Sequence, residues 1–425
     1  MIPTNCEAIC ATPKSIALLG LFGGGNLGNE ASLVAMLTPL REAFPDAIIS
    51  CICGNPAAVT ERYSISAVGI LPETIRWPSL RKSSLVKFPH WFFLRVAAEI
   101  QIWLKIFRYL RTVEFVIIPG TGILDDYRLS PFDVPYNILR WCLSARLLGI
   151  KILFVSIGAG PIHHPLTRLF MKTTARTATY RSYRDNVSRD YMNRIGLNVA
   201  KDPVYPDLVF SLPHPSSIAS DFDKIERKQA TIGIGVMRYY GRKLNYTFSE
   251  AAYNGYIKKI SEFVCWLINH KYNVRFMIGE TPDQSAVDDV LNAIQAKDNK
   301  FTDSVIFSEP IRTIYDLFEQ ISKTDVVVAS RFHNVVCALM LNKPVLSLGY
   351  AERFDELMSE MGLGTCCQNI ENFDVKMLIK QFKEVEKKGK EVSFGIQEKN
   401  RKYLMNLDKQ FGEIFTILKF LKSPR

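Results

Sequence analysis

The residues best placed to do chemistry lie in one stretch, Asp325-Val-Val-Val-Ala-Ser-Arg-Phe-His-Asn-Val-Val-Cys-Ala-Leu. An apolar, β-branched run predicts a strand, and it delivers Ser330, Arg331 and His333 to the start of a helix. The apolar face of that helix would be Val335, Val336, Leu339 and Met340. Arg331 offers a planar fork matched to phosphate or carboxylate, and a helix N-terminus adds partial positive charge beside it. His333, an imidazole, can bind phosphate or transfer a proton near neutral pH. The next predicted strand ends in Ser347-Leu-Gly-Tyr-Ala-Glu-Arg, which places Tyr350 and Arg353 at a neighbouring strand end.

Three glycine-bearing junctions in the first half are the other candidates. The first, Leu18-Leu-Gly-Leu-Phe-Gly-Gly-Gly-Asn-Leu-Gly-Asn-Glu-Ala, runs a strand into Gly23, Gly24, Gly25, Asn26 and Gly28, with a helix from about Asn29 and Glu30. Glycines there let backbone approach a ligand, and helix N–H groups can meet an anion or a sugar hydroxyl. It is neither a clean G-x-G-x-x-G nor a phosphate-binding loop with Gly-Lys-Ser/Thr. Pro39 is expected to kink or shorten the helix that follows. The second junction, Phe115-Val-Ile-Ile-Pro-Gly-Thr-Gly-Ile-Leu-Asp-Asp, carries Gly120 and Gly122. Asp125 and Asp126 then stand where a catalytic carboxylate or a sugar-hydroxyl acceptor would be. The third, Ser156-Ile-Gly-Ala-Gly-Pro-Ile, ends in Gly158 and Gly160.

These junctions need a scaffold that gathers strand ends. Short apolar runs alternate with helix-length amphipathic stretches. Strands are predicted at 16–21, 47–53, 115–119, 151–157 and 179–183, then at 231–236, 274–278, 325–329 and 344–348. Most are continuous rather than alternating, as for parallel strands covered on both faces. The pattern predicts an α/β protein with two Rossmann-like, doubly wound domains facing a cleft, with ligands at the carboxyl ends of the strands. A Pro- and Ser-rich lapse after Leu212 marks the boundary. The domains are expected at 1–214 and 229–395, with a linker at 215–228. A C-terminal helix over 396–425 is expected to pack back on the first domain.

Composition narrows the function classes. The 425 residues are 48% hydrophobic and 22% charged, a folded globular mixture. Nine cysteines without a C-x-x-C pair argue against a disulfide framework or a structural zinc and for reduced, buried thiols. That chemistry, with no secretory signal at the N-terminus and no spanning apolar run, predicts a cytoplasmic protein. The formal charge of +11 is clustered: eight Lys/Arg against Glu99 alone between Arg76 and Arg111, and eight against Asp185 and Asp190 between Arg168 and Lys201. Anionic partners follow, and nucleic acid is excluded because no recognition motif accompanies the charge. Leu85–Leu110 is rich in aromatics, including Phe88, Trp91, Phe92 and Phe93, and repeats Gln101, Lys105 and Arg108 at helical spacing. It predicts an amphipathic helix with a basic face, read in two ways: the apolar side packs in the first domain and the basic side is solvated, or the helix makes peripheral contact with anionic membrane.

The ordered series of motifs resembles the polysaccharide pyruvyl transferase family. It runs from Gly-Asn-Leu-Gly-Asn-Glu-Ala through Pro-Gly-Thr-Gly, Gly-Ala-Gly-Pro, Arg181-Ser-Tyr-Arg-Asp (which includes Arg184) and Pro206-Asp-Leu to Ser-Arg-Phe-His and Pro344-Val-Leu-Ser-Leu-Gly-Tyr. The resemblance implies a B-type glycosyltransferase-like fold, phosphoenolpyruvate as donor, and ketal formation on an oligosaccharide or lipid-linked glycan acceptor. No metal or other cofactor is implied. The chain departs from the family pattern at Gly28-Asn29, where Gly-Asp is common, and at Arg353, where Lys is common. Under this reading Ser330, Arg331, His333, Tyr350 and Arg353 bind the donor. His333 is the general acid or holds the departing phosphate, and Asp125 or Asp126 takes a proton from an attacking hydroxyl. Gly24, Gly25, Asn26, Gly28, Asn29, Glu30, Gly120, Gly122, Gly158, Gly160 and Arg184 form the acceptor side or cleft wall. The rivals are a nucleotide-sugar-dependent glycosyltransferase of the same fold and a non-catalytic glycan- or phosphate-binding protein.

Overall fold

The computed structural model describes residues 12–71, 88–126, 129–213, 229–241, 249–296 and 305–420, with the side chains of 88–93 left aside. The expected linker at 215–228 lies outside them, as do Cys6 and Cys10. By contacts the chain divides into two units. One comprises Met1–Gly24, Met36–Val204 and Lys409–Arg425, and the other Gly25–Ala35 and Tyr205–Asp408.

The first unit is built on six parallel strands: β1 (Ser15–Leu19), β2 (Ile48–Cys53), β3 (Ser66–Gly69), β4 (Phe115–Pro119), β5 (Lys151–Ile157) and β6 (Tyr180–Tyr183). Their order is β3-β2-β1-β4-β5-β6. β1 and β4 are apolar runs whose residues are almost all buried, as a strand between two helical layers requires. Helices α1 (Leu27–Ala43), α2 (Pro56–Tyr63), α3 (Phe88–Leu110), α4 (Val134–Leu147), α5 (Pro165–Arg176) and α6 (Asn186–Arg194) connect them. Ile102, Ile106 and Leu110 of α3 join Val116 and Ile118 of β4 and Ile138 and Trp141 of α4 in one buried cluster. Each such side chain contributes about 1.5–3 kcal/mol by leaving water. α1 runs on past Pro39 to Ala43, so the proline does not end it.

The second unit repeats the plan. Its strands are β7 (Thr231–Gly235), β8 (Asn273–Met277), β9 (Ile306–Phe307), β10 (Val326–Ala329), β11 (Val345–Gly349) and β12 (Cys367–Asn369), in the order β12-β11-β10-β7-β8-β9. Counted from its own first strand, this is the same permutation as in the first sheet. The helices are α7 (Glu250–Asn269), α8 (Gln284–Gln295), α9 (Ile314–Ser322), α10 (Phe332–Met340), α11 (Glu352–Glu360), α12 (Val375–Lys387) and α13 (Gly389–Phe420). The expected face of α10, Val335, Val336, Leu339 and Met340, is buried. In such sheets the chain reverses direction beside the first strand, and ligands bind outside the carboxyl ends there. The reversals fall between β1 and β4, and between β7 and β10.

The end of α13 belongs to the first unit. Gln410, fully buried, accepts from Ser156 Oγ at 3.0 Å and donates to Ser182 Oγ at 2.8 Å. Ser156 sits at a register shift in β5 with φ of 47°, a left-handed value a serine holds only under local constraint. Among the described cysteines none forms a disulfide, and Cys51, Cys53, Cys142, Cys337 and Cys366 are buried.

Edge strand β9 is tied to the sheet by a buried cation. Arg275 Nη1 of β8 donates to Glu309 Oε1 at 2.7 Å and to Gln320, and the guanidinium lies 4.7 Å from the centre of the Phe307 ring. The Arg275 hydrogen bond pulls the Glu309 carboxyl down to about 2 from its ordinary 4.5. A carboxyl depressed in the folded state stabilises it above the unfolded pKa, and that stability is lost as pH falls through the folded value. Glu309→Gln should therefore lower the denaturant midpoint near neutral pH by a small amount, because Glu309 is partly exposed. The difference from wild type should shrink between about pH 4.5 and 2. A pH-independent difference in urea melts would contradict this.

Candidate functional site

The carboxyl ends of β7, β8 and β10 in the second unit are held by a single carboxylate. Asp283, fully buried, accepts from the backbone N–H groups of Arg238 (2.9 Å), Gly279 (3.3 Å) and Glu280 (3.0 Å). It also takes both donors of the Arg331 fork, Nε at 2.8 Å and Nη2 at 2.6 Å. Glu280 Oε2 lies 2.9 Å from the same Nη2. Burial works against the Arg331 charge, but Asp283 and then Glu280 overcome it and hold the guanidinium above its ordinary pKa. Arg331 thus arrives at the strand end with its charge already met and with Nη1 as the edge not bonded to Asp283.

The glycine-rich segment at the start of α1 closes on the same place. Asn26 donates to Glu280, Leu27 N donates to Gly279 O at 3.0 Å, and Thr281 N donates to Gly25 O at 3.2 Å. Asn26 Oδ1 also accepts from Asn29 N at 3.0 Å and so caps α1. Glu30 is buried one residue further on. Gly28 is a glycine because of His333: a Cβ built on it would lie 1.8 Å from His333 Nδ1. The imidazole therefore packs flat against backbone. Its Nε2 is 3.8 Å from Asp207 Oδ2, beyond hydrogen-bond length but within range of charge attraction, and Asp207 is itself buried at the start of a short 3₁₀ turn.

α10 begins at this point. Its N-cap is Arg331, a residue with no acceptor to offer, so the first turn has no side-chain cap. Asn334, in that turn, is fully buried, and neither its Oδ1 nor its Nδ2 hydrogen-bonds to any described residue. It lies against Gly235 and Gly279, where built Cβ atoms would be 2.9 Å and 3.0 Å from the amide. Ser330 is committed elsewhere: it is buried, and its hydroxyl shares a 3.0 Å hydrogen bond with Tyr256, whose phenol is raised to about 12 by burial. Tyr350 stacks on Tyr239 at 6.0 Å, and the Arg353 guanidinium lies 5.6 Å from the Phe332 ring and 5.9 Å from the Tyr350 ring.

The remaining expected residues come together in the first unit. The chain after β4 and the chain after β5 are zipped by Gly158 N to Thr121 O (3.0 Å) and Gly160 N to Leu124 O (2.8 Å). Arg184 lies over Gly158, where a Cβ would meet Nη2 at 2.6 Å, and its Nη1 reaches Gly120 O at 3.5 Å. Gly122 is half-buried in the same loop. Asp126 is buried, and its Oδ2 accepts from His163 N and His164 N at 2.8 Å each, so one oxygen is spent shaping the loop. Asp125 is half-buried. Arg181 of the Arg-Ser-Tyr-Arg-Asp motif is occupied by Asp202, at 2.8 and 3.1 Å. Among the described residues no group of three His, Cys, Asp or Glu side chains is placed to hold a metal ion.

Residues 26–352 match the family model of the polysaccharide pyruvyl transferases. The chain belongs to that family. A search of curated proteins gave no match. Solved structures similar in fold include UDP-GlcNAc 2-epimerase from Neisseria meningitidis bound to UDP-GlcNAc, at 12% identity and TM-score 0.58, covering 94% of this chain and 98% of that one. The trehalose-phosphate synthase of Burkholderia vietnamiensis is similar at 12% and TM-score 0.56, covering 96% and 98%. MurG of Acinetobacter baumannii is similar at 12% and 0.51, covering 93% and 100%. Identities this low speak for fold alone, and the fold is B-type glycosyltransferase-like. The matched span holds Arg331, His333 and the glycine-rich segment from Asn26 onward. Nothing in the sequence singles out Asp283 and Glu280; in the structure Glu280 and Asp283 form a capping box.

The Asp283–Arg331 pair makes a direct prediction. Asp283→Ala should cost about 3–5 kcal/mol, because it removes the bidentate partner of a buried guanidinium and leaves it only the partly exposed Glu280. Adding Arg331→Met should recover most of that loss. Chemical denaturation of the three variants measures both, and a single-variant cost below about 1 kcal/mol would show that the pair does not hold the strand ends.

Proposed function

We propose that this family member moves pyruvate from phosphoenolpyruvate onto two hydroxyls of a glycan sugar as a ketal, releasing phosphate. The observation that carries the reading is Arg331 and His333 at the uncapped start of α10, beside the reversal point of the second sheet and inside the family-matched span. An anionic donor suits that position. The α10 N–H groups carry partial positive charge, and Arg331 Nη1, His333 and Arg353 supply donors. Because Asp283 and Glu280 already meet the Arg331 charge, its part is directional more than electrostatic. The buried amide of Asn334 gives the site a neutral polar contact whose burial otherwise costs about 1–3 kcal/mol.

The reaction requires a proton on C3 of the enol, which makes C2 oxocarbenium-like. Two sugar oxygens then form bonds to C2 as the C2–O bond to phosphate breaks. One hydroxyl proton balances the new methyl group, and the other leaves with phosphate. His333 is assigned the C3 proton or the departing phosphate, with Asp207 Oδ2 3.8 Å from its Nε2. Sugar hydroxyls are assigned to the first unit, around Gly120, Gly122, Gly158, Gly160 and Arg184. Asp125 or Asp126 is assigned the base, and one oxygen of Asp126 already accepts from two backbone N–H groups.

The experiment is a phosphate-release screen over acceptor glycans, with a thermal-shift arm. Phosphoenolpyruvate should raise the melting temperature and nucleotide sugars should not, since a ligand stabilises the state it binds. The reverse pattern would favour a nucleotide-sugar transferase, and glycan binding without phosphate release a non-catalytic protein. His333→Ala should lower phosphate release by on the order of a hundredfold or more at an unchanged melting temperature; near-wild-type kinetics would remove His333 from the mechanism. Gly24→Val tests access at the first loop. A Cβ there meets nothing within 4 Å, so the fold should tolerate it. If the loop carries ligand, affinity should drop; full affinity for donor and acceptor would leave the loop a turn.

A further inference from the structure

Helix α3 divides its surface into three sectors. Ala98, Ile102, Ile106 and Leu110 recur every fourth residue and are buried in the first unit. A second aliphatic stripe, Val96, Ile100 and Leu104, has the same spacing but faces solvent, at 41, 55 and 58% exposure. At 100° per residue this stripe is next to a third sector made of Gln101, Lys105 and Arg108, with Arg111 just past the helix end. The expected basic face is therefore present, and beside it lies an apolar face that packing has not consumed.

Within α3 itself the charges that reach that surface are of one sign. The acid of this stretch, Glu99, is turned away to Arg140 Nη1 (2.9 Å), Tyr136 Oη (2.6 Å) and Trp103 Nε1 (3.0 Å). It does not offset Lys105 and Arg108. An ordinary solvated helix face carries polar groups, whereas an interfacial helix carries apolar residues flanked by cations. Among the described residues no helix is long and apolar enough to cross a bilayer, so this one would lie on the membrane rather than span it.

We propose that α3 docks this enzyme on an anionic bilayer surface, with Val96, Ile100 and Leu104 entering the headgroup boundary and Lys105, Arg108 and Arg111 meeting lipid phosphates. The inference does not rest on the proposed reaction, because vesicle binding is read without donor or acceptor.

The test is co-sedimentation of the full chain with vesicles of phosphatidylcholine alone or phosphatidylcholine containing phosphatidylglycerol, at low and high salt. The wild type should pellet with the anionic vesicles at low salt, and salt should release it. Ile100→Ser with Leu104→Ser, and separately Lys105→Glu with Arg108→Glu and Arg111→Glu, should each weaken binding by roughly tenfold or more. The substituted side chains are solvent-facing, so melting temperatures should stay at the wild-type value; the salt and lipid arms on the wild type stand even if a variant folds poorly. Absence of pelleting by the wild type at low salt, or equal pelleting by wild type and either folded variant, overturns the proposal. A wild-type oligomer that Ile100→Ser with Leu104→Ser dissociates, with no vesicle binding, also overturns it, and assigns the stripe to a second copy of the chain.

Discussion

The second unit depends on one carboxylate at the end of its sheet. Parallel strands finish with their N–H groups and side chains pointing into the region where ligands bind, and something must hold those ends in register. Asp283 does so from a turn between β8 and α8, accepting three backbone N–H groups and a bidentate guanidinium. A buried charge is tolerated only when its partners are close and complete, and here they are. The cost is that Arg331, the most conspicuous cation of the stretch, is half used before any ligand arrives. Under the proposed reaction, recognition of the anionic donor then falls to a combination: a helix terminus, an imidazole seated on a glycine, and the second arginine near Phe332 and Tyr350.

Two kinds of glycine serve this arrangement. Gly28 is where His333 needs backbone instead of a side chain, and Gly158 does the same for Arg184. In both places a flat cationic or aromatic group is supported from below by main chain.

Much of this architecture was legible in the residues, and the reasons for the gaps are physical. Strands such as Phe115–Pro119 and Lys151–Ile157 are buried on both faces, so their continuous apolar runs announce them. β3, β9 and β12 escaped because they are short sheet edges, half-buried at most, where no apolar run is required. Arg331 and His333 stand out as side chains after a strand. Asp283 does not, because its partners are backbone N–H groups, which every residue but proline carries, and an arginine 48 positions away. Likewise Asn334 and Ser330 are polar residues in one stretch, yet only tertiary packing makes one an unpartnered buried amide and the other a partner of Tyr256.

The second unit is discontinuous, and that governs how it can be assembled. Residues 25–35 are made early, but their hydrogen-bond partners at Gly279, Glu280 and Thr281 come much later in the chain. Closing so long a loop costs only slightly more than closing a moderate one, since the entropy grows with the logarithm of length. The ordering is nevertheless strict. During synthesis the N-terminal strands are made while the segment that caps α1 still waits for its counterpart, and Gly28 has no imidazole to seat until His333 has been made. A fragment beginning at Tyr205 would carry every strand of its sheet and still lack the surface on which its histidine rests.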